Sequence, residues 1–521
     1  MATERPQYYQ NTLKPIEINQ ESLQQTLQEL RDAARRGADM VKEGSPPAGE
    51  WGIGGFFLGN PGITLAFLRL AHQAASLKKD NESSPPDFRK DANERIYTGP
   101  DLPLLPSRLS PLGSLSPIPA AVLRILAAAT SNSAVSKDDI QCFHQAVELA
   151  LKNGHIVPHA GNNLGGDEIL YGRAGLLWSI LNIRAHKYDE DTEKALKPLY
   201  ESIPKLVDVI IEAGRQGARD CARLYGDKDT LPLMYMWMEK YYCLGAVHGA
   251  GGILSTVLAC NVEEVSDGAS RNYFPWIAET ITGLCKLAIA HNGHFSTCIP
   301  PRQVGNPTSP LIQVCHGSPS FLLLMACARR NTHLMTNHWQ PEWDQAIQLA
   351  TERIWEEGLL SKGGGLCHGI SGNAWSVLLM HDCFEYDGEL AEQAKRNYQA
   401  RTQTDISSMQ PELTGDYFLS RALSLMLHLR ETRPYNTSPK SDSNDYRMPD
   451  NPYALTEGLP GPVCAWSESC VVIQARLRKM KLDAKGETSA AARENDAVFQ
   501  ELESRHLGFP TLPYHRVVGM F

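Results

Sequence analysis

The chain has 521 residues, 42% of them hydrophobic and 21% charged, an ordinary globular composition that excludes disorder. Its net charge of −9 argues against a nucleic-acid surface, which would want a basic stripe. The polar opening MATERPQYYQNTLKPIEINQ lacks the apolar core of a secretory signal, and apolar runs such as LPLMYMWMEKYYCLGAV are broken by charge or too short to span a bilayer. We therefore expect a soluble cytoplasmic protein. In a reducing compartment its twelve cysteines are core thiols, metal ligands or nucleophiles rather than disulfides.

Residues 18–43 predict an amphipathic helix, part of an N-terminal helical arm over residues 1–50. A small-residue turn followed by an apolar helix then recurs along the chain. It reads LGNPGITLAFLRLA (58–71), YGRAGLLWSILNI (171–183), HGAGGILSTVLA (248–259), HGSPSFLLLMACA (316–328), HGISGNAWSVLLM (368–380) and EGLPGPVCAWSE (457–468). GSLSPIPAAVLRILAAA (113–129) is a degenerate copy in the long gap between the first two. Amphipathic stretches such as 206–226 and 343–360 lie between copies, and period-two strand text is almost absent. Each unit predicts a helical hairpin: an amphipathic outer helix, a Gly-rich turn, then a more apolar inner helix. About seven such units predict an all-α fold, an α/α toroid, in one domain over 1–521; the open alternative is a solenoid. The glycines would allow close backbone approach and positive φ. Inner-helix N-termini would converge on one cavity. Segments 78–112, 435–452 and 482–505 read as loop insertions.

Two turns share more than glycine. Cys315 begins CHGSPS and Cys367 begins CHGISGN, in the same register at the mouths of successive inner helices. One such copy is merely a compact turn with a buried thiol. Two copies in register favour a shared metal, and Cys315, Cys367 and His368 are a set zinc accepts with its fourth position open. His248 heads a third His-Gly turn without a cysteine and is the candidate free acid or base at the same rim. His316 is either a donor behind the ligands or a packed residue. Cys260, Cys285, Cys327 and Cys383 lie in apolar helical text and read as small core residues.

The ordered set DEILYGRAGLLWSIL (167–181), PLMYMWMEKYYCLGAVHGAGGI (232–253), CHGSPS, GLLSKGGGLCHGISGNAW (358–375) and EGLPG (457–461) resembles the lanthionine synthetase C-like (LanC-like) family in its eukaryotic branch. FPTLPYH near the end is similar to the family's terminal segment. The resemblance implies seven inner and seven outer helices around one zinc, with Cys315, Cys367 and His368 as its ligands. It implies activation of a thiol on that zinc and its addition to dehydroalanine or dehydrobutyrine residues of a peptide or protein. In the eukaryotic branch the thiol is glutathione. His248 then protonates the resulting enolate, Asp167 matches an acidic position that assists proton transfer, and Lys362 matches a basic position that stabilises the enolate or holds a glutathione carboxylate. The plain alternatives are a helix N-cap or turn for Asp167 and a solvated lysine for Lys362. Val314, where the family usually has Trp, and Ser320, where glycine is usual, put substrate specificity in doubt without removing a ligand. No fused dehydratase is visible, so the dehydroamino acid comes from elsewhere. Two other classes compete. One is a non-catalytic zinc- and glutathione-binding scaffold or signalling protein, associated in some relatives with the plasma-membrane periphery. The other, ranked last, is an α/α-toroid glycosidase, which needs two flanking carboxylates.

Overall fold

The computed structural model describes residues 5–46, 49–99, 101–131, 133–228, 230–238, 240–299, 311–405, 413–437 and 445–512. Among the described residues the architecture is seven helix pairs in chain order, with further helices such as Glu190–Tyr200 and Gly388–Thr402 between them. The pairs begin with α1 (Gln20–Gly44) and α2 (Asn60–Gln73), α3 (Phe88–Asn93) with α4 (Ile118–Ser131), α5 (Lys137–Lys152) with α6 (Arg173–Arg184), and α7 (Ile203–Tyr225) with α8 (Ala250–Leu258). The remaining pairs are α9 (Phe274–Ala290) with α10 (Ser318–Arg330), α11 (Pro341–Glu357) with α12 (Ile370–Glu385), and α13 (Gly415–His428) with α14 (Pro460–Asp483). The even-numbered helices pack side by side in order, and α14 returns to α2. The ring therefore closes, as an α/α toroid rather than an open solenoid. The eroded second unit keeps an outer helix of only six residues, α3.

The sequence dictates which helices lie outside. In α1, Asn19 caps the first turn by accepting from the Ser22 amide at 2.9 Å. Leu23, Leu27, Leu30, Ala34, Ala38 and Val41 then repeat at helical spacing and are buried, with α1 packed on α14. Inner helices have no polar face to spare. Every residue of α10 is buried, as is α12 from Ile370 to Cys383, as expected of helices enclosed all round.

The turns before the inner helices are tied to one another. Phe57 N–H donates to Leu112, Leu109 to Tyr171, Ile169 to Val247, Ala246 to Val314, Val314 to Cys367, Cys367 to Thr456, and Thr456 back to Phe57, at 2.9–3.4 Å. Main-chain hydrogen bonds thus run in a closed circle around the mouth. The turn glycines serve this close approach more than positive φ. Gly249 and Gly369 are extended, with φ −144° and −143°, and only Gly317 among the inner-helix N-caps has φ in the left-handed half, at +126°. A Cβ on Gly249 would collide with the Cys243 carbonyl.

Two features depart from the near absence of strands expected from the sequence. β1 (Ile156–His159) pairs with β2 (Asn162–Gly165), and β3 (Tyr242–Cys243) pairs with β4 (Cys298–Ile299), both antiparallel. The first is a two-residue hairpin made possible by positive φ at Ala160 and Gly161. Strands of two to four residues are too short to show an alternating pattern. Of the predicted insertions, 78–112 contains α3 and the buried Leu109 and Leu112. Segment 482–505 ends in a short helix, Ala497–Glu503, that buries Phe499 and Leu502. Part of 435–452, the first four and two later residues of the N-terminal arm, and the last three residues of FPTLPYH lie outside the described residues.

Residues 506–512 pack against the inner helices α2, α12 and α14. His506 bridges Glu468 on α14 (2.6 Å) and Asp382 on α12 (2.8 Å), all three buried. Glu468 also accepts from the Leu507 and Gly508 amides at 3.0 and 2.7 Å. Arg69 on α2 donates to the Gly508 carbonyl, and Phe509 packs on Trp375 with ring centroids 5.4 Å apart. Among the described residues no helix is long and apolar enough to cross a membrane.

Candidate metal centre

The turns leading into α10 and α12 bring Cys315, Cys367 and His368 together. One ligand atom from each, two Sγ and an imidazole nitrogen, lie within 4.8 Å of one another. Both cysteines are buried and His368 is half-buried. The mouth circle sets this proximity, because the amides of Val314 and Cys315 both donate to the Cys367 carbonyl, at 2.9 and 3.2 Å. The Cys315 thiol lies 3.3 Å from Gln313 Oε1. Hydrogen bonding from Cys367 and His368, against burial, holds the Cys315 thiol well below its ordinary value, while the same bond and burial push Cys367 up. Two sulfurs and an imidazole fit zinc, and three protein ligands leave a fourth position for a further donor.

A second constellation does not fit a metal. His381, Glu385 and Asp416 also lie within 4.8 Å of one another. Arg476 already bridges Glu385 (3.4 Å) and Asp416 (3.1 Å), and Lys479 reaches Glu385 at 3.2 Å. Two carboxylates there meet two cations, which leaves no charge deficit for a metal to fill.

His248 stands at the same rim. Its Nδ1 is 2.5 Å from Glu168 Oε2, and its ring stacks on Trp237 at 4.4 Å with the planes 25° apart. The His316 ring is 6.0 Å away. Burial disfavours a charged His248, but the Glu168 carboxylate, by charge and hydrogen bond, and the nearby Cys315 outweigh it and raise the imidazole above its ordinary value. His316 moves the other way, lowered by burial.

The sequence model of lanthionine synthetase C-like proteins matches residues 106–426, more than half of the chain. The chain belongs to that family. It is 29% identical over 215 residues to glutathione S-transferase LANCL1 of Danio rerio, covering 41% of this chain and 46% of that one. It is 25% identical over 301 residues to LanC-like protein GCL1 of Arabidopsis thaliana, covering 57% and 54%. The matches thus span about half the length of these curated relatives. The nisin cyclase structure aligns over 77% of this chain and 98% of its own at 15% identity, with a TM-score of 0.26.

In this LanC-like protein the acidic residue against His248 is Glu168, not its neighbour Asp167. Asp167 is buried and forms a two-pronged ion pair with Arg173, the first residue of α6, at 2.7 and 3.2 Å. The buried Arg173 guanidinium requires a counter-charge, and Asp167 supplies it. Register could have separated the two acids. Glu168 and Gln313 each lie four residues before an inner-helix N-cap glycine, Gly172 and Gly317, and both side chains reach the site. Trp237 gave no signal in the sequence beyond its apolar surroundings. Lys362 is exposed and its charge reaches Cys367 and His316. It borders a cleft of about 410 Å³ whose other walls include Arg5, Gln313 and Arg447. Arg5 is brought there by the N-terminal segment, where Tyr9 N–H donates to Leu359 at 2.8 Å and Ser361 N–H donates to Gln7 at 3.1 Å. At the two departures, Val314 keeps its main chain in the mouth circle, and the Ser320 hydroxyl donates to the Gly317 carbonyl at 2.6 Å.

Proposed function

We propose that this LanC-like protein adds a thiol, glutathione above others, to the alkene of a dehydroalanine or dehydrobutyrine residue in a peptide or protein, forming a thioether at a zinc site made by Cys315, Cys367 and His368. The observation that carries this reading is the pairing of a soft-metal donor set with a carboxylate-backed imidazole at one rim. When bound, zinc supplies a thiolate at neutral pH, where a free thiol with pKa about 8.5 stays mostly protonated. His248 holds the proton that the α-carbon must receive after the sulfur has joined the β-carbon. Glu168 orients that imidazole and favours its charged form. Arg5 and Arg447 are paired with Asp445 and Asp450, so the exposed Lys362 at the edge of this cleft is the cation that suits a carboxylate of glutathione, and the name of the Danio rerio relative, a glutathione S-transferase, favours the same thiol. Sugar hydrolysis is disfavoured, because of the two candidate carboxylates, Glu457 and Asp167, Asp167 is committed to Arg173, and the neighbouring Glu168 is committed to His248.

Zinc-loaded protein incubated with glutathione and a dehydroalanine peptide should yield the thioether adduct by mass spectrometry. No adduct at full zinc occupancy would leave the scaffold reading in its place. His248→Ala should lower turnover by roughly 10²–10⁴-fold, the usual worth of a positioned acid, with zinc content unchanged. The charged imidazole is the active form, so rate should fall as pH rises through its raised value. Glu168→Gln should move that fall to lower pH. For Lys362→Ala, steady-state kinetics should show KM for glutathione rising by up to about tenfold, close to 1.4 kcal/mol of binding, with kcat little changed. A fall in kcat alone would instead assign Lys362 to the enolate.

A further inference from the structure

Cys243 of β3 lies directly opposite Cys298 of β4. The Leu244 amide donates to the Thr297 carbonyl at 3.0 Å. In an antiparallel ladder that bond makes 244 and 297 a hydrogen-bonded pair, so the adjacent Cys243 and Cys298 form a non-hydrogen-bonded pair. Such pairs have Cα atoms about 4.5 Å apart and side chains on one face. A disulfide bridges Cα separations of about 4.4–6.8 Å, so the register already meets its main demand. Both cysteines are 1% exposed. Cys243 also feels the charge of Glu168, and its carbonyl packs against Gly249, the residue after His248. The two thiols therefore lie beneath the His248 turn.

We propose that Cys243 and Cys298 are a redox-active thiol pair that closes to a disulfide by exchange with a small-molecule disulfide such as oxidised glutathione. One cysteine thiolate attacks a sulfur of oxidised glutathione; that S–S bond breaks, a mixed disulfide forms and one glutathione thiolate leaves. The second cysteine, as thiolate, attacks the protein sulfur of the mixed disulfide and expels the second glutathione. The pair loses two electrons, oxidised glutathione gains them, and the two cysteine protons end on the departing thiols. Burial raises the Cys243 thiol, so the first attack waits on opening of the ladder. A ladder of two residues per strand opens at the cost of few hydrogen bonds, which makes the exchange slow but not blocked.

The test uses the full chain, equilibrated without oxygen over a series of reduced-to-oxidised glutathione ratios, with and without mild urea to speed opening. Thiols are then alkylated, and the protein is digested without reductant and mapped by mass spectrometry. The expected result on the wild type is a peptide cross-linked through Cys243 and Cys298 that appears at oxidising ratios and disappears at reducing ones. Cys243→Ser or Cys298→Ser should abolish it, and Cys142→Ser should leave it. Three results would overturn the proposal: full alkylation of both cysteines at every ratio in urea, a persistent mixed disulfide without the cross-link, or a cross-link through Cys315 and Cys367 instead. The readout involves no turnover, so it stands or falls separately from the proposed thiol addition.

Discussion

Cys367→Ala is expected to abolish zinc retention, measured as metal per chain after gel filtration beside the wild type, and Cys315→Ala is expected to do the same. At the proposed zinc site each change would remove one of three candidate protein ligands. Loss of a supporting outer partner already costs roughly 10–100-fold in metal affinity, and loss of a sulfur ligand should exceed that. Both variants should still fold, because the circle of hydrogen bonds at the mouth uses the main chain of Cys367 and not its thiol. Full zinc retention in both variants would remove the site and the proposed chemistry with it. Gln313→Ala, which deletes only the partner of the Cys315 sulfur, should weaken zinc binding less than either.

Glu468→Ala is expected to produce the largest loss of stability of any single substitution considered. The wild-type carboxylate is fully buried and accepts from His506, Leu507 and Gly508, with Gln73 as a further donor. Removing it leaves His506 charged and half-partnered in the interior, and breaking a buried pair in this way costs about 3–5 kcal/mol. Glu190→Ala is the comparison. That residue pairs with Lys194 on the surface, with 85% and 67% of the side chains exposed, and its loss should change stability by less than about 1 kcal/mol. Denaturant unfolding and hydrogen exchange over 506–512 would read both. The network also predicts a pH optimum. Burial raises Asp382 and Glu468, but His506 and the arginines outweigh it and hold both carboxylates low. Their contribution is complete above the unfolded carboxylate range of about 4 and is lost as pH falls through the lower folded values. Burial opposes a charged His506, yet the two carboxylates raise it well above its ordinary value. Its contribution is complete below about pH 6.5 and fades as pH rises towards the folded value. The unfolding midpoint should therefore be highest between about pH 4 and 6.5, and Glu468→Ala should flatten the alkaline arm.

The repeat carried most of the architecture in the sequence. Gly-rich turns before apolar helices recur often enough to predict seven hairpins, including the weak one at 113–129, and the same register aligned Cys315 with Cys367. What could not be read depends on side-chain direction within irregular turns. Asp167 and Glu168 are adjacent acids, and only the fold decides that one meets Arg173 and the other His248. The short ladders gave no alternation to detect. His506 carries no signal in the sequence, because its partners on α12 and α14 are distant along the chain. The glycines were rightly marked as special, but for close approach at Gly249 more than for positive φ.

The circle of amide-to-carbonyl bonds at the mouth has a further consequence. It acts as a hoop whose circumference is counted in hairpins, so the spacing of the two sulfurs depends on all seven units and not only on the two that carry them. Lengthening or deleting one hairpin would change the metal centre from the far side of the ring. A valine at position 314 keeps its main-chain bonds in the circle, so its side chain can change while the span between the two sulfurs stays fixed.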